Sequence, residues 1–110
     1  MAYHVAFSAL ATRDVDSIFL YISEELASPQ AAYRIIDSIF NAVERLKDFP
    51  YSTPSIEELF SVPSPHRVLT VRDYCCFYRV TENDVIIDRV IHNRAPHLDI
   101  LGLADLNPSN

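Results

Sequence analysis

Residues 66–93, HRVLTVRDYCCFYRVTENDVIIDRVIHN, decide the fold of this chain. The stretch holds three runs, His66 to Arg72, Tyr74 to Thr81 and Asp84 to Asn93, each heavy in Val, Ile, Tyr and Phe. β-Branched and aromatic residues suit a pleated, half-buried surface, so each run reads as a strand. Asp73 and the pair Glu82-Asn83 are the turn residues between them. Connections this short join antiparallel neighbours, which predicts a three-stranded antiparallel meander. Alternation then sorts the side chains. On the middle strand Tyr74, Cys76, Tyr78 and Val80 share one face, with Cys75, Phe77 and Arg79 opposite. On the last strand Asp88, His92 and Arg94 share a face, and Val85, Ile87, Arg89 and Ile91 share the other.

Towards the N-terminus, Tyr3 to Phe7 alternates polar and apolar residues and predicts one more short strand. Ser8 or Thr12 can cap a helix on which Val15, Ile18, Phe19, Ile22 and Leu26 recur at helical spacing. Ser28-Pro29 is a second helix start, with serine as cap and proline in the first turn. Ala32, Ile35, Ile36, Ile39, Phe40, Val43 and Leu46 form its apolar stripe, and it stops before Pro50. Both stripes are read as core. Pro50, Pro54, Pro63 and Pro65 punctuate a long loop in which Ser55 to Phe60 can make one helical turn. The expected fold is therefore α+β: a small antiparallel sheet, made of the N-terminal strand plus the three-stranded meander, with a two-helix hairpin packed on one face. Two helices cover one face, which leaves the other to water or a partner. Nothing divides residues 1–110 into more than one domain. Pro96 is expected to begin a short terminal helix or turn with Leu98, Ile100 and Leu101, and residues 101–110 to form a short or frayed tail.

Composition narrows the function classes. Apolar residues make up 49% and charged residues 22% of the chain, enough to bury a core. Gly102 is the single glycine, which argues against a Gly-rich phosphate cradle of the Rossmann or P-loop kind. No apolar run approaches membrane-span length and no basic flank precedes an apolar leader, so a cytoplasmic protein without membrane contact is expected. The net charge is −6, and nine acids against four bases in residues 1–60 carry most of it. An acidic chain is a poor free binder of nucleic acid, whose affinity relies on excess positive charge. Cys75 and Cys76, as strand neighbours, point to opposite faces and are read as two half-buried thiols. No spacing of Cys and His supports a metal site, and no cofactor is expected.

In order and spacing the chain resembles the RelE/ParE superfamily of type II toxins, over nearly its whole length. RVLTVRDYCCFYRV followed by DVIIDRVIHNR resembles the family's basic strand, its Tyr-led central strand ending in Phe-Tyr-Arg-Val, and its last strand ending in Val-Ile-His-x-Arg. Ala31 and Ala32 after the helix turn, and Leu46 ahead of Phe49-Pro50, fit the same pattern. The resemblance implies a growth-inhibiting toxin of a type II toxin–antitoxin module, neutralised by a cognate antitoxin that wraps it. It also implies one of two targets. RelE-like members cut mRNA on the ribosome, a reaction that needs proton transfer groups and cations for the phosphorane charge. ParE-like members inhibit DNA gyrase by binding.

For the nuclease, Arg67, Arg72 and Arg94 are candidate phosphate clamps, His92 the acid or base, and Tyr74 or Tyr78 stacking groups. As target-binding candidates under either reading stand Arg67, Arg72, Tyr74, His92 and Arg94. Cys75 occupies the position where RelE-like nucleases commonly carry arginine, and the sequence pI near 5.0 departs from their basic character. The ending RVIHNR with Asp99-Ile100-Leu101 is closer to ParE-type members. The resemblance is therefore more ParE-like than RelE-like, with an inactive homologue that only binds antitoxin as a further alternative. Weighed as ordinary structure, Tyr74 and Tyr78 are core residues with satisfied hydroxyls, His92 bonds a backbone group, and Arg79 and Arg89 pair with acids such as Asp88.

Overall fold

The structure, a computed structural model, describes residues 2–94. The expected terminal helix after Pro96 and the tail at 101–110 lie outside the described residues. In chain order the elements are β1 (His4–Phe7), α1 (Ala9–Leu20), a π-turn (Tyr21–Glu25), α2 (Pro29–Glu44), a 3-10 turn (Arg45–Lys47), α3 (Ile56–Phe60), β2 (His66–Val71), β3 (Tyr74–Val80) and β4 (Asp84–His92). The sheet order is β1-β4-β3-β2. β2, β3 and β4 form the antiparallel meander.

One pairing differs from the sequence reading: β1 lies parallel to β4, so the sheet is mixed. Alternation within a strand carries no direction. The direction comes from the long crossover through the helices, which returns the chain so that β1 and β4 run the same way. Ser8 fixes the junction. Its backbone N–H donates to Ile87 (2.8 Å), its hydroxyl donates to the Asp88 carbonyl (2.9 Å) and accepts from Ala11 N–H as the cap of α1 (3.0 Å). Beyond Phe7 no strand among the described residues lies beside the edge of β4, and there Asp14 of α1 accepts the Val90 N–H at 2.8 Å. The same carboxylate takes both arms of Arg89 at 2.8 and 2.9 Å, which locks α1 to β4.

A bulge lies between β3 and β4. Phe77 pairs with Arg89 but Tyr78 pairs with Ile87, leaving Asp88 as the extra residue. This overturns the simple alternation expected for β4. Val85, Ile87 and Val90 face the helices with Cys76 and Tyr78, whereas Ile91 falls on the other face with Cys75, Phe77 and Val68. Asp88 and His92 consequently do not share surroundings. Asp88 meets His66 and Arg79, and His92 meets Tyr74.

Both faces of the sheet are covered at their centres. Ala11 and Val15 of α1, with Ile39, Ala42 and Val43 of α2 and Leu46 beyond it, fill the helix side. On the other side the long loop folds back, and Ile56 seals Val68, Cys75, Phe77 and Ile91. Truncating such a fully buried aliphatic to alanine costs about 2–5 kcal/mol. The loop also closes the outer edge of β2, where Val68 N–H donates to the Pro54 carbonyl (3.0 Å) and Ser55 bridges Arg67. Ser55 caps α3 by accepting from Glu58 N–H at 3.1 Å, and Ser61 at φ 56° ends it in the left-handed region. Cys75 and Cys76 point to opposite faces but are buried, at 4% and 0% exposure, rather than half-buried. Burial pushes both thiols up, that of Cys76 to about 12, so neither is a reactive thiolate.

Candidate functional site

The candidate residues divide between the two ends of β2. At its start, Arg67 is engaged by the loop that covers the sheet. Its guanidinium donates to the carbonyls of Thr53 and of Tyr51 (3.4 Å), stands 3.9 Å from the Glu58 carboxylate, and lies 5.3 Å over the Tyr51 ring. Tyr78, on the neighbouring strand, is buried. Its hydroxyl donates to the Pro50 carbonyl at 2.8 Å and shares a 2.7 Å hydrogen bond with Thr53 Oγ1. Arg67 and Tyr78 therefore pin the loop, and no stacking platform is left at Tyr78. Asp88 completes this region by accepting Arg79 at 2.6 and 3.2 Å and His66 at 2.8 Å. Burial works to raise the Asp88 carboxyl, but hydrogen bonds and charge from Arg79 and His66 outweigh it and hold it below the usual range. Arg79 and Arg89 are thus ion-pair residues, as their acidic neighbours suggested.

The other end of β2 gathers Arg72, Tyr74, His92 and Arg94. Arg72 and Asp73 make the two-residue turn into β3, with Arg72 at φ 54°, a conformation that a hairpin turn of this length demands. The Arg72 Nε–H donates to Ser38 Oγ of α2 at 3.2 Å. Tyr74 and His92 are cross-strand partners, their rings edge-to-face at 5.5 Å and 79°. Asn93 N–H donates to the Asp73 carbonyl at 2.8 Å, which ties the end of β4 to the turn. Arg94 N–H donates to His92 Nδ1 at 3.2 Å, so the neutral ring carries its proton on Nε2. Arg67 stands five residues before Arg72, about 16 Å at about 3.3 Å per extended residue. The structure puts Tyr74 and His92 in ring contact, with Arg72 in the adjoining turn and Arg94 two residues after His92, and leaves Arg67 at the far end of β2.

Sequence reasoning missed what adjoins this end. A groove of about 710 Å³ runs between the helical hairpin and the ends of β3 and β4. Ile18, Ile22, Leu26 and Ile35 line it on the helix side, and Tyr74 and His92 on the sheet side. Leu26, expected in a core stripe, is 58% exposed. The cause is local. α1 widens into the π-turn Tyr21–Glu25, which keeps Ile22 buried, and Ala27 turns back at φ 50°, leaving Leu26 at the hairpin tip exposed. A stripe extending past the width of a four-stranded sheet was the available signal. Leu26 and Tyr21, at 58% and 56% exposure, add apolar surface of the kind common at interaction sites. Among the described residues no group of three His, Cys, Asp or Glu side chains could hold a metal ion, and no helix is long and apolar enough to cross a membrane.

The same fold occurs in solved toxin–antitoxin structures. A chain of the chromosomal ParDE system from P. aeruginosa superposes with a TM-score of 0.69 at 20% identity, covering 83% of this chain and 96% of that one. A chain of the RelBE2 toxin–antitoxin complex from Mycobacterium tuberculosis gives 0.60 at 22% identity, covering 84% and 92%. No curated protein sequence matches the chain. Residues 5–95 match the family described as the ParE toxin of the type II toxin–antitoxin system parDE. With most of its length inside that match, from β1 to the end of β4, the chain belongs to the ParE toxin family of type II toxin–antitoxin systems.

Proposed function

We propose that this chain is a growth-inhibiting toxin that acts by binding DNA gyrase, without catalysis, and that a cognate antitoxin neutralises it by filling the groove between the helical hairpin and the sheet. The observation that carries this reading is the separation of the arginines. A nuclease needs its cations and its proton-transfer groups around one phosphate, within hydrogen-bond reach. Arg67 is instead committed to the loop, about 16 Å along the strand from Arg72. Position 75, where the resemblance puts an arginine in RelE-like nucleases, holds a buried thiol on the far face of the sheet. What remains at the open end is an apolar groove lined by Tyr74 and His92, with Arg72 and Arg94 exposed near it in sequence, a composition suited to a protein partner.

The nuclease reading keeps one observation in its favour, the contact of Tyr74 with His92 at the end of the sheet that also carries Arg72 and Arg94. Pulse labelling after induction of the chain without antitoxin separates the two. DNA synthesis stopping first, with a DNA-damage response, is the expected result. Protein synthesis stopping first, with cut mRNA on ribosomes, would overturn it, and unimpeded growth with folded protein would leave an inactive homologue.

A further inference from the structure

We propose that the end of the groove beside the β2–β3 turn is a recognition site for a basic side chain, and that the antitoxin segment in the groove carries an arginine or lysine there. This rests on the proposed antitoxin binding and adds to it the chemistry of the partner. Ile18, Ile22, Leu26 and Ile35 select an apolar stripe, as an amphipathic segment provides. The turn end differs in kind, for Asp73, Tyr74 and Tyr21 line it together. Asp14, the other acid in the lining, is neutralised by Arg89, whereas Asp73 forms no ion pair among the described residues. Its neighbour Arg72 gives Nε–H to Ser38 instead, and neither Arg72 nor Arg94 lines the groove, where His92 stands across from Asp73 without an ion pair to it. A carboxylate that shares a groove end with two tyrosines can receive guanidinium or ammonium, through charge and through a ring face. The Tyr74 phenol registers this closeness: burial first, then the Asp73 charge and Tyr21, push it up.

Charge also selects among occupants. Residues 95–110 bring Asp99 and Asp105 and neither lysine nor arginine, so the chain's own tail would set like charge against Asp73. A second copy, at net charge −6, meets the same repulsion. A partner segment with a basic end meets attraction.

The test uses the full chain and synthetic helical peptides of about fifteen residues, with leucines at helical spacing and glutamine elsewhere. One ends in arginine and its twin in citrulline, which has the same shape without the charge. Fluorescence anisotropy should show the arginine peptide binding about tenfold tighter at low ionic strength, with the gap closing as salt rises. Asp73→Asn should abolish the gap, and Leu26→Glu should weaken both peptides. Circular dichroism of each variant confirms folding. Equal binding of the twins, a gap that survives in Asp73→Asn, or no binding by either peptide overturns the proposal. So does displacement of both peptides by one spanning residues 95–110, which would assign the groove to the tail. Growth arrest reads the toxin function separately, so arrest without any charge preference sinks this inference and leaves the toxin reading standing.

Discussion

At one end of β2 the guanidinium of Arg67 is held by the carbonyls of Tyr51 and Thr53 over the Tyr51 ring, while at the other end Arg72 stands on a two-residue turn beside an open groove. The residue type is the same and both arginines bound one strand, and the difference lies in what covers each end. The proline-punctuated loop folds over the start of β2, and its carbonyls, turned away from regular pairing, need donors; Arg67 and Tyr78 supply them. Nothing comparable among the described residues folds over the turn end. A strand arginine in this fold is thus a fastener where the loop reaches it and an available contact where it does not.

Breaking the fastened end should have the largest effect on stability. Arg67→Ala is expected to lower the unfolding free energy by about 2–3 kcal/mol in denaturant titrations, since it leaves two carbonyls short of a charged donor. Arg72→Ala should change it by less than about 0.5 kcal/mol, because its one hydrogen bond is exposed. Equal losses from the two would erase the contrast. Tyr78→Phe comes next, at about 1–2 kcal/mol, because it leaves the buried Pro50 carbonyl without its donor.

Acid sharpens the comparison at the fastened end. The Asp88 carboxyl is held below its ordinary value, so the stability it contributes is present above the unfolded pKa and is lost as pH falls through the folded one. Thermal melts should show Tm falling below about pH 4, and Asp88→Asn should flatten that limb while lowering Tm at neutral pH. An unchanged acid limb in the variant would mean that Asp88 does not set it. The smallest effects belong to the open end. Arg72→Gly should stabilise by about 0.5–1 kcal/mol, since glycine adopts φ 54° without strain. His92→Ala should leave growth arrest within about twofold of the parent, as a binding surface tolerates loss of one partly exposed ring. Complete loss of toxicity from folded His92→Ala protein would favour proton transfer and the nuclease.

The sequence made the elements legible because their signals are local. Ser28-Pro29 started α2, Ser8 capped α1, and the Val, Ile, Tyr and Phe runs became β2, β3 and β4. What it withheld was set by pairing across the sheet. The parallel direction of β1 and the bulge at Asp88 depend on partners distant in sequence, and the bulge alone moved Ile91 to the opposite face and His92 into the groove. Of the candidate residues, the closeness of Arg72 and Tyr74 followed from the short turn, whereas the pairing of Tyr74 with His92 depended on the register across the sheet. The commitment of Arg67 to the loop did not, because no pattern in residues 50–65 announces where their carbonyls will point.

The central claim, action on gyrase by binding, meets its most direct test in a supercoiling assay with purified gyrase and the purified chain. Supercoiling should stop as the chain is titrated in, added antitoxin should restore it, and mRNA in a translating extract should stay intact at the same concentrations. Unaffected supercoiling together with mRNA cut at the ribosome would contradict it.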